Sequence, residues 1–283
     1  MDRIADNCIG FSSLEEVIMV SSKTLQTLLA SAGVFVLTIL IWRLAVFANT
    51  SLPSNQAQTE RLIFSLIVCI GSIVVVGIAA RMQGHGFSWL GLQIDKQAVR
   101  SFVLGVLCFL IPAGLALSVV LVSGMLSISL QVPVSDFIFY LAFIVLFVCF
   151  GEALPEELVF RGYLWGQLSK HALTWLVLLG QTLLFVLFAA LIGAIGDLNN
   201  ASFLGFFAFV LGLLRRASQS LYAPIGFHLA LISSQQVFVS SRNLIETNNP
   251  FMLQMLLLGI IPLSASIIYL HNKFSWTSKS NTV

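Results

Sequence analysis

Phe137-Ile-Phe-Tyr-Leu-Ala-Phe-Ile-Val-Leu-Phe-Val-Cys-Phe150 is an unbroken apolar run, and it passes directly into Gly151-Glu-Ala-Leu-Pro-Glu-Glu-Leu-Val-Phe-Arg-Gly162, a stretch with three carboxylates and an arginine. A helix needs roughly 20 residues at 1.5 Å each to cross about 30 Å of hydrocarbon. The run reaches that length only if the helix continues through its charged half. The expectation is therefore a span extending towards Leu168, with carboxylates facing a polar cavity, because a charge facing lipid at mid-bilayer costs at least ~2.5–3.5 kcal/mol.

The rest of the chain has the same character. Only 9% of the 283 residues are charged and 58% are hydrophobic, and the mean hydropathy is +0.98. A soluble chain carries about 25% charged residues, so this composition predicts an all-α polytopic membrane bundle. A net charge of +2 provides no basic field for nucleic acid; membrane lipid is the expected surroundings. Cys69, Cys108 and Cys149 lie in apolar runs and Cys8 stands apart, so the cysteines read as small hydrophobes. The N-terminus lacks the pattern of a cleavable signal peptide.

Eight segments suit spans: Thr24–Phe47, Leu62–Ala80, Phe102–Val122, the run from Phe137, Leu173–Ile195, Phe203–Leu214, Leu221–Val239 and Phe251–Leu270. The sixth is short, which predicts a tilted, half-buried or re-entrant helix. Pro112 and Pro262 predict kinks. Asn49–Thr59 and Ser275–Val283 read as polar connector and tail. Eight spans put Arg3, Lys23, Arg81, Lys96, Arg100, Arg161, Lys170, Arg215, Arg216, Lys273 and Lys279 on one side. Arg43, Arg61 and Arg242 fall on the other. The positive-inside rule then predicts both termini in the cytoplasm.

Ionisable residues within spans are the first place to look for chemistry. Glu157 and Arg161 are i,i+4 neighbours suited to an ion pair, and Glu156, rotated by about 100°, is left to face something else. Glu152 precedes Glu156 by one turn, across Pro155. On composition alone the cluster reads equally as a solvated helix end. His228, inside the seventh span, reads more often as a hydrogen-bonded structural residue than as a ligand or base.

Glu156-Glu-Leu-Val-Phe-Arg161-Gly162 strongly resembles the EExxxR motif of the CPBP family, intramembrane endopeptidases that include type II CaaX prenyl proteases and bacteriocin-processing or immunity proteins. Trp89-Leu-Gly-Leu92, Gly212-Leu-Leu-Arg-Arg216 and Ser220-Leu-Tyr-Ala-Pro-Ile-Gly-Phe-His228 extend the resemblance over roughly residues 87–240. It implies a division into 1–86 with two spans, a core at 87–240, and 241–283 with the last span and tail. It also implies that Glu156 is the general base, that Glu157 and Arg161 form its electrostatic frame, and that His228 is an oxyanion donor or ligand. The implied substrate is a membrane-embedded or membrane-adjacent peptide or membrane protein, and the implied setting is a bacterial cytoplasmic membrane.

The family's second motif is FxxxH and its third HxxxN. Here Phe185 is followed by Ala189, and His228 by Ile232, with Gln235 a weak substitute for the asparagine. Glu156 and His228 remain as metal ligands, so a zinc site needing two histidines is disfavoured. The cofactor is left unknown. The leading expectation is an endopeptidase of weakened activity; the alternative is an inert relative acting as a binding or immunity protein. A small transporter using Glu and His as a proton relay is a third class, opposed by the absence of a duplicated half. The depths of Glu156 and Ala189 conflict if the fifth span begins near Leu173, which predicts a later start for that helix.

Overall fold

The computed structural model describes residues 5–50, 57–239 and 242–277. Arg3, Lys279, the side chains of Cys8 and Lys23, and much of the connector and tail lie outside the described residues. Eight helices occupy the expected span positions: α1 Ala5–Thr50, α2 Ala57–Met82, α3 Lys96–Val122, α4 Val134–Ser169, α5 Thr174–Ile192, α6 Leu198–Ser218, α7 Tyr222–Val237 and α8 Met252–Leu270. Seven of them are long and apolar enough to cross a membrane. Their outward faces are leucine, isoleucine, valine and phenylalanine, many of them exposed, as lipid contact requires. The protein is an integral multi-pass membrane protein.

Two span expectations are corrected. The sixth helix is 21 residues long, not short, because Asp197 caps it by accepting from the Asn200 N–H at 2.7 Å, a full turn before its apolar onset. The short helix is the seventh, at 16 residues. A short ribbon pairs β1 Ile128–Leu130 with β2 Ile245–Thr247, antiparallel, in register Ile128↔Thr247. It ties the α3–α4 loop to the α7–α8 loop at one end of the bundle, the ribbon end. The opposite, basic end carries Arg81, Lys96 and Lys170.

α4 is the element that positions the chemistry. It continues to Ser169 as expected, 36 residues in all, with wide π-type turns at Cys149–Ala153 and Leu158–Leu164 on either side of the glutamate pair. Pro155 lacks an N–H and its ring would strike the carbonyl four residues back, and the π-type turn just before it relieves that clash. Pro262 stands in the same way just after the π-type start of α8.

Lipid tails are as apolar as leucine, so close packing and hydrogen bonds, rather than apolar burial, hold helices together here. α3 and α7 meet backbone to backbone. A Cβ on Gly105 would collide with the Ala223 carbonyl, and one on Gly226 with the Phe102 carbonyl. Only glycine fits at either position, and the crossing sets the depth of His228 two residues on. Around that level Phe160, Phe185, Phe188, Phe207 and Phe227 are all buried, and the first four pack ring against ring.

Candidate active site

Glu157 lies at the centre of the charged cluster and is fully buried. Its Oε1 accepts from Arg161 Nη1 at 3.1 Å, the i,i+4 pair expected from spacing, and faces His228 Nδ1 at 2.9 Å, 71 residues away in sequence. Arg161 is also fully buried. Its Nη2 donates to the Ala208 carbonyl at 3.0 Å, and its guanidinium carbon stands 4.8 Å from the Phe185 ring centroid. The cluster is therefore interior to the bundle, not a solvated helix end. Arg161 accordingly leaves the tally of basic loop residues, because its charge is neutralised within the bundle.

His228 is 1% exposed and its ring meets Phe207 edge to face at 4.8 Å. A carboxylate at Nδ1 holds the proton there and leaves Nε2 on the ring edge away from Glu157. Neutral His228 thus presents a lone pair at Nε2, and imidazolium presents a donor. Glu156, 8% exposed, makes no hydrogen bond among the described residues, as its rotation away from Glu157 requires. With all four groups ionised, Glu156 and Glu157 balance Arg161 and His228. One carboxylate then remains uncommitted.

Glu152, half-buried, extends the acidic row towards the ribbon end. Arg242 there donates to Gln236 Oε1 at 2.8 Å. Burial and the neighbouring Arg61 charge hold Arg242 below the usual guanidinium range, while the Glu152 carboxylate opposes both.

The depth conflict resolves without moving α5. That helix begins at Thr174, so the expected later start is wrong. α4 is what removes the conflict: Glu156 lies 13 residues before its Ser169 end and Ala189 15 residues after Thr174, both about 20 Å from the same end at 1.5 Å per residue. Ala189 is 4% exposed. Ile232 packs against apolar side chains on both sides of α7, and Gln235, half-buried, lies three residues further towards the ribbon end.

Gln181 is a polar residue of this site that pattern reading passed over. It is fully buried in α5, and its Nε2 donates at 3.1 Å to the Ala208 carbonyl that Arg161 also uses. A Cβ on Gly212 would stand 2.6 Å from that nitrogen. A lone amide in an otherwise apolar span was the available signal. Arg215, a member of the basic tally and of the Gly212–Arg216 stretch, also reaches the site: its Nε donates to the Arg161 carbonyl at 2.9 Å.

Zinc does not find its ligands here. A catalytic zinc takes three protein ligands, and among the described residues no group of three His, Cys, Asp or Glu side chains is placed to hold a metal.

Residues 137–232 match the family model described as type II CAAX prenyl endopeptidase Rce1-like. The match runs from α4 to α7 and takes in Glu152, Glu156, Glu157, Arg161, Ala189 and His228, so it bears out the resemblance carried by the EExxxR motif. No curated protein matches the chain.

Proposed function

We propose that this chain, with its CPBP-type intramembrane protease fold, is an endopeptidase that cleaves a membrane-embedded or membrane-adjacent peptide, with Glu156 as general base and with activity weakened by Ala189 and Ile232. The observation that carries this reading is the uncommitted Glu156 carboxylate beside a Glu157–Arg161–His228 cluster whose members hold one another. Glu157 and Arg161 act as a frame; Glu156 and His228 are the groups left for substrate.

The reaction follows from those roles. Glu156 takes a proton from a water whose oxygen attacks the scissile carbonyl carbon, forming the C–O bond and an oxyanion. Nε2–H of protonated His228 donates to that oxyanion, in surroundings of low dielectric where such a bond counts most. Collapse breaks the C–N bond, and Glu156 returns its proton to the departing amine. No metal takes part in this sequence. The reading includes a cytoplasmic location for both termini and a bacterial cytoplasmic membrane as the setting.

A binding or immunity role without hydrolysis is favoured by one observation: the two family positions that would carry polar side chains are filled by Ala189 and by Ile232 in apolar packing. Purified protein incubated with membrane-spanning peptides, followed by mass spectrometry, separates the two. The wild type is expected to yield paired fragments and Glu156→Gln none. Peptide binding without fragments from either protein would support the inert role.

A further inference from the structure

At the basic end, outside the Glu156 cluster, α3, α6 and the 3₁₀ turn Phe87–Leu90 enclose a polar pocket of about 230 Å³. Arg215, in the last turn of α6, lines it and is only 4% exposed. Its Nε is committed to the Arg161 carbonyl, but among the described residues neither Nη has a partner and no carboxylate pairs with it. Gly91 makes the room. It adopts φ +85°, and a Cβ there would stand 2.9–3.1 Å from the guanidinium carbon and its two Nη atoms.

A buried guanidinium without an anion is costly, since removing a charge from water is repaid only by a paired, hydrogen-bonded partner. The remaining walls supply donors. Ser88, Gln93 and Gln97 bring hydroxyl and amide groups, and the pocket includes the first turn of the 27-residue α3, where N–H groups point outward. Asp95 also lines the pocket. Its Oδ1 caps α3 by accepting from the Ala98 N–H at 2.8 Å. We propose that this pocket binds a phosphate group, held by Arg215 and the α3 N-terminus, supplied either by a lipid headgroup of the adjoining leaflet or by free phosphate.

Two features favour phosphate over a peptide carboxylate. Its potential donors come from separate elements, Arg215 from α6, Ser88 from the 3₁₀ turn and Gln97 from α3, which suits a tetrahedral group with more than two acceptor oxygens. The pocket also lies where α3 begins and α6 ends, at the basic end of the bundle, where a span passes out of the hydrocarbon towards the headgroups. Because Arg215 grips the Arg161 carbonyl, occupancy is coupled mechanically to the helix that carries Glu156.

The test uses the full chain in an uncharged detergent. Inorganic phosphate is titrated calorimetrically, and retention of phosphatidylglycerol against diacylglycerol is measured by native mass spectrometry. Gln97→Glu, an exposed change that suits a helix N-terminus, places a second carboxylate at the pocket and leaves Arg215 intact. Arg215→Gln is the direct variant, and Gln97→Glu keeps the test decisive if that protein does not fold. Binding of both probes, or of phosphatidylglycerol alone, identifies the headgroup as the source; binding of inorganic phosphate alone identifies the free ion. In each case Gln97→Glu should weaken binding at least tenfold. Binding of neither probe, unchanged binding by Gln97→Glu, or tighter binding of acetate than of phosphate overturns the proposal.

Discussion

Glu157 Oε1 is shared between a guanidinium and an imidazole, so its loss strands two groups at once. Glu157→Gln should lower folded yield while Glu156→Gln, which loses no hydrogen bond among the described residues, should melt with the wild type. Arg161→Ala leaves the buried glutamate pair with only His228 to balance it, one carboxylate uncompensated, and should destabilise the protein by about 3–5 kcal/mol. A thermal melt in detergent checks all three, and an unchanged midpoint for Arg161→Ala would remove its role as frame. At the basic end His85 stacks on Trp89 and sits 3.0 Å from Lys170 Nζ. Burial, then the Lys170 charge, hold its pKa below the ordinary 6.5. The unfolded chain therefore binds the proton more readily, and this contribution, complete above pH 6.5, is lost as pH falls through the folded value. An imidazole NMR titration should give a midpoint below 6.5, and His85→Asn should lack this component of acid sensitivity.

The two partners of Glu157 also show which contacts a sequence can disclose. Its pairing with Arg161 is local and follows from helical spacing alone. Its contact with His228 depends on how α7 lies against α4, and no spacing rule spans 71 residues.

Among the elements, α4 and the α3–α7 crossing determine whether a site exists. The charged continuation of α4 was legible because fourteen apolar residues cannot span a bilayer. The π-type turns around the glutamates were not legible, since Pro155 announces a disturbance without saying how the helix absorbs it. The start of α6 was misjudged for a similar reason: apolar onset located the span, whereas the Asp197 cap locates the helix. Gly105→Val should force α3 from the Ala223 carbonyl and shift α7, moving His228 from Glu157. The expected result is loss of folded yield together with peptide cleavage. Unchanged melting and cleavage would mean that the crossing does not set the depth of His228.

At the scale of the whole molecule, the multi-pass bundle was legible from composition, because 9% charged residues cannot dress a soluble surface. Orientation rests on loop charge alone, now without Arg161. Reporter fusions after Lys273 should report a cytoplasmic C-terminus, and activity on the opposite face would reverse the sidedness. The motif-based resemblance and the family match agree over residues 137–232.

The most direct measurement is the single-turnover rate of cleavage of a membrane-spanning peptide by wild type, Ala189→His, and Ala189→His combined with Glu156→Gln. A missing general acid or base typically costs about 10²–10⁴-fold, and Ala189 lies at the depth of Glu156. The account predicts slow cleavage by the wild type, a faster rate with the histidine restored, and none once Glu156 is replaced. Equal peptide binding by all three proteins with no cleavage by any would contradict it.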